Sequence, residues 1–357
     1  LAMDSLVKML KAENIRLPEI TVEQLMKKIR IITEQIRQLP QFQILNSTQR
    51  MQYLARQLDA TVLQVARAMQ KQQERSNTQI IQTEVLFGHV GTENGLAPLE
   101  FKLENERKVN VRGKIDRLDQ ILADNTNYVG IVDYKSSSHI FDFRDAYYGL
   151  ALQMLTYLDA LMLNFGKITN NEQTKPAGAL YMHLYNPKLK AKDVLKQSKE
   201  KVWLKANKYD GLIISDENLL QAMDEKLAEE SNGYSNVYPF RKNKDGSFKA
   251  SGRHQLVTLA ELELLLRHNE DLIKEAANKI LSGELSLNPV QWPDKRTALQ
   301  FSPYKSIFQF DAMLPENNYR KLPKITPEEI IKMLTESAGE INGKILIYSF
   351  SKRGNLE

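Results

Sequence analysis

The chain has 357 residues, 42% hydrophobic and 26% charged, with only 16 Gly and 12 Pro. That is enough for a sizeable core in one large domain or two ordinary ones, and it excludes a mainly disordered or fibrous chain. Cysteine is absent, which removes disulfides, thiolate zinc sites, iron–sulfur clusters and cysteine nucleophiles, and fits a reducing, cytoplasmic setting. No window approaches 18 uninterrupted apolar residues, so no membrane span is expected. The first residue is Leu1, with no basic stretch leading an apolar run. No signal peptide is therefore in view, and a start without Met suggests a piece of a longer protein. The net charge is +5, and residues 1–80 carry all of it, with 12 Lys+Arg against 7 Asp+Glu. A second local surplus lies at 187–208, where Lys188, Lys190, Lys192, Lys196, Lys199, Lys201, Lys205 and Lys208 meet only Asp193 and Glu200. Clustered basic charge suits a phosphate-binding surface, although a solvated helix face accounts for it as well.

In chain order, residues 1–75 read as helices. Val22, Leu25, Met26, Ile29 and Ile32 fall at three-and-four spacing, as do Tyr53, Leu54, Leu58, Val62, Val65 and Met69, and both stripes are expected to face a core. Beyond Gln79 the period changes. Ile80–Phe87, Lys108–Leu122, Tyr128–Tyr134 and Ala177–Tyr185 read as strands. A helix of about 20 residues, Arg144–Leu163, is expected after a cap at Asp142. Thr258 and Glu261 form a capping box for a helix ending at Gly283. Helices between β segments predict an α/β fold, a mixed β-sheet flanked by helices. Residues 1–78 form an N-terminal helical layer and 79–357 the core with a closing segment, together as one unit.

The chemistry concentrates in Gly113-Lys114-Ile115-Asp116-Arg117-Leu118-Asp119 and Ile131-Val132-Asp133-Tyr134-Lys135-Ser136-Ser137. Residues two apart on a strand face one side, so Asp133 and Lys135 project together. A hairpin closed by the four residues Ala123 to Thr126 sets Leu122 opposite Asn127. Counting back, Asp116 falls opposite Asp133. Opposed residues share a face, with Cβ atoms roughly 5 Å apart. Two carboxylates held so closely repel unless a cation sits between them, and Mg²⁺ or Mn²⁺ meets that need with oxygen ligands. The neighbouring Lys135 ammonium suits a developing phosphorane charge or an attacking water. Two acids, a lysine and a metal make a phosphodiester-hydrolase set.

These two motifs, with the following Tyr147-Tyr148-Gly149-Leu150-Ala151-Leu152-Gln153-Met154-Leu155-Thr156-Tyr157, resemble the C-terminal nuclease domain of the AddB/RexB family. That family is in the RecB-type branch of the PD-(D/E)xK superfamily and has a restriction-endonuclease-like fold. The resemblance extends to Glu84-Val85-Leu86-Phe87-Gly88, Gly211-Leu212-Ile213, Ser282-Gly283-Glu284 and Ser302 through Asp311, nearly the whole chain. It implies that Asp116 and Asp133 are metal ligands, Lys135 the catalytic lysine, and Gln153 and Tyr157 a Q-x-x-x-Y helix pair facing the site. Glu84 is a further candidate ligand. Lys114, Arg117, Ser136 and Ser137 are candidates for DNA contact. The implied activity is that of a metal-dependent DNA exonuclease acting on linear duplex ends. It would resect double-strand breaks for recombination, cut the 5′-ended strand, and work as a heterodimer with an AddA/RexA-type helicase–nuclease subunit.

Two departures stand out. The family supplies a histidine from a helix just ahead of this region, which here would end at or before Leu1. None of His89, His139, His183, His254 or His268 stands in a matching context. Many relatives also carry a four-cysteine iron–sulfur staple, whereas Ser302, Phe308 and Leu299 occupy three of those places here. Apolar packing is expected to replace the staple. No G-x-x-x-x-G-K-[ST] is present, since Gly339 to Gly343-Lys344 is one residue short, so ATP-driven unwinding must come from elsewhere. The alternative is a nuclease-like module that binds DNA or scaffolds a partner. The intact Asp116, Asp133 and Lys135 set favours the enzyme.

Overall fold

The structure, a computed structural model, describes residues 1–89, 95–103, 106–169 and 173–341. Gly343 and Lys344 of the truncated phosphate-loop pattern lie outside them, as does the rest of 342–357. Three helices come first, α1 (Ala2–Ala12), α2 (Val22–Gln38) and α3 (Gln49–Gln73). Thr21 caps α2 in a reciprocal box with Gln24, and Thr48 caps α3 through the Met51 N–H, so each helix starts where an orphan donor finds an oxygen. Leu25, Ile29 and Ile32 are buried as expected, and so are Val65 and Met69. The rest of each stripe is not. Val22 and Met26 are exposed, and Tyr53, Leu54 and Leu58 line the outer half of α3. Helical periodicity identifies a face, and only packing decides how much of its length is covered.

The chain then builds β1 (Thr78–Phe87), β2 (Leu99–Lys102), β3 (Lys108–Val111), β4 (Gly113–Ala123), β5 (Thr126–Lys135), β6 (Thr174–His183) and β7 (Asp210–Ile214). The main sheet runs β1-β4-β5-β6-β7 and ends on the short strand Leu256–Val257. Pairing is antiparallel from β1 through β5, parallel between β5 and β6, and antiparallel again to β7. This is the expected mixed sheet. Where one long strand was expected over 108–122, the chain breaks at Arg112. Lys108–Val111 instead pairs with Leu99–Lys102 in a separate hairpin. The β4–β5 register is the one counted from the sequence, with Leu122 opposite Asn127. The turn is tighter than expected, because Ala123 and Thr126 also pair and only Asp124 and Asn125 remain, both at positive φ. Two left-handed residues are what a two-residue hairpin needs to match strand twist, and Asp and Asn tolerate them.

The parallel β5–β6 pair requires a crossover, and helices provide it, α4 (Phe143–Tyr147), α5 (Gln153–Leu163) and the short Phe165–Thr169. The single expected helix is interrupted at Gly149, whose φ of +77° is left-handed and ends α4. Asp142 caps α4 through the Arg144 and Asp145 N–H groups. A capping box at Thr258 and Glu261 opens a long helix, Leu259–Ser282, that closes on Gly283 at φ +72°. It packs on α5 and buries Leu262, Leu265 and Leu266. One apolar cluster joins Leu6 of α1, Phe87, Ile115, Leu118, Ile131 and Leu158. Each such side chain contributes roughly 1.5–3 kcal/mol on burial. Among the described residues, no helix is long and apolar enough to cross a membrane.

The closing segment departs from expectation. Phe308 is 43% exposed, stands edge-on to Tyr304 with ring centres 6.4 Å apart, and sits beside Ile307, itself 71% exposed. A four-residue helix, Lys305–Phe308, with no buried residue has no face to seal, so apolar packing does not stand in for the staple there.

Candidate active site

β5 is buried on both faces over most of its length and carries Asp133 and Lys135 to its C-terminal end. Strand ends of this kind, where a crossover leaves the sheet, are the usual place for ligands in α/β proteins. Asp133 is only 4% exposed. Lys135 Nζ lies 2.7 Å from Asp133 Oδ2, an ion pair that falls outside hydrogen-bonding directions, and it donates to Gln153 Oε1 at 2.9 Å. It also stands 5.6 Å from the centre of the Tyr181 ring on β6. Burial pushes the Asp133 carboxyl above the ordinary aspartate range. Lys135 pulls it back, and the charge of Asp116 pushes it up again.

Asp116 is near Asp133, though not in a regular pair. The ladder closes at Arg117 opposite Val132, and one step further Asp116 Oδ2 accepts the Tyr134 N–H at 2.8 Å. On the other side of β4, the pairs Thr83–Arg117 and Val85–Ile115 bring Glu84 level with Asp116. Glu84 holds φ +55°, a left-handed conformation costly for a residue with a Cβ, and forms an ion pair with Lys114. The three acids thus occupy adjacent strands at one level.

Gln153 opens α5 and bridges the site to its neighbour, since its amide nitrogen donates to the Tyr157 hydroxyl at 3.1 Å. The Tyr157 ring meets Phe87 edge-on at 5.7 Å, over Gly113. A Cβ at Gly113 would lie 2.6 Å from Phe87 and 3.0 Å from Tyr157, so the first glycine of the motif makes room for the rings. Ser136 and Ser137 are exposed just beyond Lys135.

Arg117 corrects the expectation of a DNA contact. Strand alternation turns it away from Asp116, and it is 1% exposed. Its guanidinium donates to Asp119 Oδ2 at 2.7 Å, the Tyr209 hydroxyl at 2.8 Å and the Tyr134 hydroxyl at 3.2 Å. Phosphate cannot reach it. Lys114 is half-exposed, but its ammonium is engaged with Glu84, whose hydrogen bond raises its pKa, with Asp116 and Asp4 adding to the effect.

Asp4 is the residue that sequence reasoning missed. It lies in the first turn of α1. Asp4 projects from its buried face, next to Met3 and Val7, and accepts from Thr83 Oγ1 at 2.5 Å and Lys8 Nζ at 3.0 Å. With Glu84, Asp116, Tyr134 and Leu184 it lines a cavity of about 200 Å³. The available signal was an acid inside an apolar helical stripe.

A divalent cation fits this donor set in chemistry. The buried Asp133 Oδ2 has no hydrogen-bond donor, and Lys114 is drawn into a pocket of carboxylates. Among the described residues no three such side chains converge to form a finished cage, and Glu84 and Asp133 each hold a lysine.

A mixed sheet bearing Asp116 on one strand, Asp-x-Lys on the next and a glutamine–tyrosine helix beside them has the layout of a PD-(D/E)xK nuclease. The sequence profile of the PD-(D/E)XK nuclease superfamily matches residues 6–294, and the chain belongs to that superfamily. It is similar to the B subunit of the ATP-dependent helicase/deoxyribonuclease of Lactiplantibacillus plantarum, 49% identical over 341 residues, which are 95% of this chain and 28% of that protein. The protein of the same name from Latilactobacillus sakei is 46% identical over 349 residues, 95% of this chain and 29% of the relative. That from Enterococcus faecalis is 37% identical over 337 residues, 93% and 28%. The resemblance to AddB-type subunits read from the motifs is borne out, and the chain spans less than a third of these relatives.

Proposed function

We propose that this chain is the metal-dependent deoxyribonuclease unit of a helicase–nuclease B subunit, with the helical layer 1–78 and the core 79–357 acting together. The observation that carries the reading is the gathering of Asp116, Asp133, Lys135 and Gln153 at the end of β5. In this reading Asp116 and Asp133 hold Mg²⁺ or Mn²⁺, and Glu84 and Asp4 are the remaining carboxylates within the same neighbourhood. Bound there, the cation supplies Lewis acidity toward a phosphodiester and an acidified water. Lys135 leaves Asp133 for the scissile phosphate and stabilises the charge that grows on its oxygens. Gln153 keeps the ammonium on that path, and Tyr157 fixes Gln153.

The names of the relatives support DNA as substrate and a further subunit as partner; in this reading that subunit is a helicase-bearing one of AddA/RexA type. Resection of the 5′-ended strand at double-strand breaks, in the cytoplasm, completes the proposal. The test is digestion of end-labelled linear duplex with Mg²⁺ and ATP by the full-length protein with its partner, wild type against Asp133→Ala and Lys135→Ala. Loss of cleavage of the 5′-ended strand with unwinding intact is expected. Undiminished cleavage of that strand would leave a module that only binds DNA or scaffolds.

A further inference from the structure

Beyond the site, the most basic surface feature is the segment that follows β6. It starts beside Lys135, since Lys135 pairs with His183 across the parallel strands and Leu184 N–H donates to the Lys135 carbonyl at 2.8 Å. Leu184 lines the same cavity as Asp116 and Glu84. The segment leaves through Tyr185, passes two short helices, Ala191–Val194 and Lys199–Ala206, and returns to its start, where the Tyr185 hydroxyl donates to the Ala206 carbonyl at 2.7 Å. The seven lysines between 188 and 205 are all exposed. Among the described residues none of them is in an ion pair. Glu200, one of two acids in the segment, faces Lys71 of α3 at 3.8 Å, and Lys205 donates to the neutral Gln197. Seven lysines against two acids leave the segment strongly positive.

Between this segment and Lys135 lies a row of rings. Tyr181 lies under the Lys135 ammonium, and His139 is 6.0 Å from Tyr181. His183 Nε2 is 2.9 Å from the His139 main-chain nitrogen, and its ring is 6.2 Å from that of Tyr185. His139 and Tyr185 are exposed and His183 is half-buried. Flat rings at the surface give unpaired bases something to stack on, while free ammonium groups follow the phosphates. A duplex keeps its bases stacked inside and cannot use the rings.

We propose that the lysine-rich segment 186–205 and the His139, His183 and Tyr185 rings form a track for single-stranded DNA that delivers the strand to Lys135. The destination rests on the nuclease reading above; the binding does not. Binding of a fluorescent oligo-dT to the full-length protein is measured in EDTA, so that no strand is cut, across a range of salt. Each phosphate that a lysine no longer neutralises lowers the slope of log affinity against log salt by about 0.7 for single strands. The variant Lys188→Gln/Lys190→Gln/Lys192→Gln should therefore lose about 2 from the slope. The charge-matched Lys321→Gln/Lys324→Gln/Lys332→Gln should lose nothing. Tyr185→Ala should weaken binding roughly 5- to 150-fold, the span of one base-stacking ring, with the slope unchanged.

A second set, Lys196→Gln/Lys199→Gln/Lys201→Gln, repeats the measurement if the first melts below the parent. An unchanged slope in both lysine sets overturns the proposal, and so does an equal loss of affinity for blunt duplex. If Asp133→Ala still cuts while the slope falls, the nuclease reading fails and the track stands. If the slope holds while Asp133→Ala is inactive, only the track fails.

Discussion

Lys135 and Gln153 are joined by a hydrogen bond of 2.9 Å that ties the end of β5 to the first turn of α5, across the crossover between parallel strands. The ammonium has two anchors, the Asp133 carboxylate and the Gln153 amide oxygen, and the second one aims it. Gln153 is itself exposed, so Gln153→Ala should change stability by no more than about 0.5 kcal/mol. Its cost should fall on kcat, by something on the order of 10- to 100-fold, because a lysine displaced by about 1 Å loses the geometry of the reacting phosphate. Steady-state cleavage of linear duplex by the full protein tests this. An effect confined to KM would mean that Gln153 contacts the strand and does not position Lys135.

Arg117 and Asp119 face each other behind the same sheet, with Asp119 Oδ1 left without a partner. Burial raises the Asp119 pKa against the pull of Arg117. Removing the guanidinium strands a buried carboxylate, and Arg117→Ala should cost about 3–5 kcal/mol in a denaturant melt. Replacing both partners, Arg117→Met with Asp119→Leu, should recover much of that loss, since apolar groups of similar volume often replace a buried pair at little cost. A single-variant loss below about 1 kcal/mol would contradict the burial.

Phe308 was expected to seal the segment where relatives carry cysteines, yet it is exposed. Phe308→Ala should therefore shift stability by no more than about 0.5 kcal/mol. The roughly 3–5 kcal/mol loss typical of a buried ring would return the segment to the core. Chemical denaturation of the purified protein distinguishes the two.

The parts of this molecule that could be read from its sequence are those set by local rules. The register that brings Asp116 toward Asp133 follows from counting back across one short turn, and the Thr258–Glu261 box announces its helix three residues ahead. The parts that could not be read depend on distant partners. Arg117 is buried because Tyr209, 92 residues away, supplies a hydroxyl. Asp4 reaches the carboxylate neighbourhood because α1 lies along β1, where Thr83 receives it. Gly149 was visible, but its left-handed conformation, which splits the crossover helix, was not distinguishable from a tolerated helical glycine. Spacing also could not say that Tyr53, Leu54 and Leu58 would be left about half exposed on α3.

Lys208, at the end of the lysine-rich segment, is half-buried, and burial pulls its pKa down to about 8, with Lys205 adding repulsion. The folded-state pKa is below the unfolded value, so the charged form disfavours folding. The cost is fully present below pH 8 and disappears as pH rises toward about 10.4, the unfolded value. Lys208→Met should therefore be more stable than wild type at pH 7, with the advantage shrinking between pH 8 and 10. Urea midpoints at the two ends of that range suffice. A constant difference would mean that the gain comes from packing and not from charge.

The closest test of the carboxylate site needs no cleavage at all. Asp133 is buried with its pKa raised, first by desolvation and further by Asp116, so its charge opposes folding when no cation is present. The folded pKa lies above the unfolded one. This cost is therefore complete above the folded value and fades as pH falls through it toward about 3.9. Asn keeps the shape without the charge, and in EDTA at pH 7 Asp133→Asn should melt above wild type. Like charges facing across strands are worth roughly 0.2–1 kcal/mol, which sets the minimum difference, with desolvation adding to it. Lowering the pH toward 4 should close the gap. Excess Mn²⁺ should invert the order, because a ligand held only by the folded state stabilises by mass action and Asp133→Asn offers it one carboxylate fewer. Thermal melts of both variants, in EDTA and in Mn²⁺, decide the matter. If Mn²⁺ raises both melting temperatures equally, Asp116 and Asp133 do not share a cation, and the metal-dependent reading loses its physical basis in these strands.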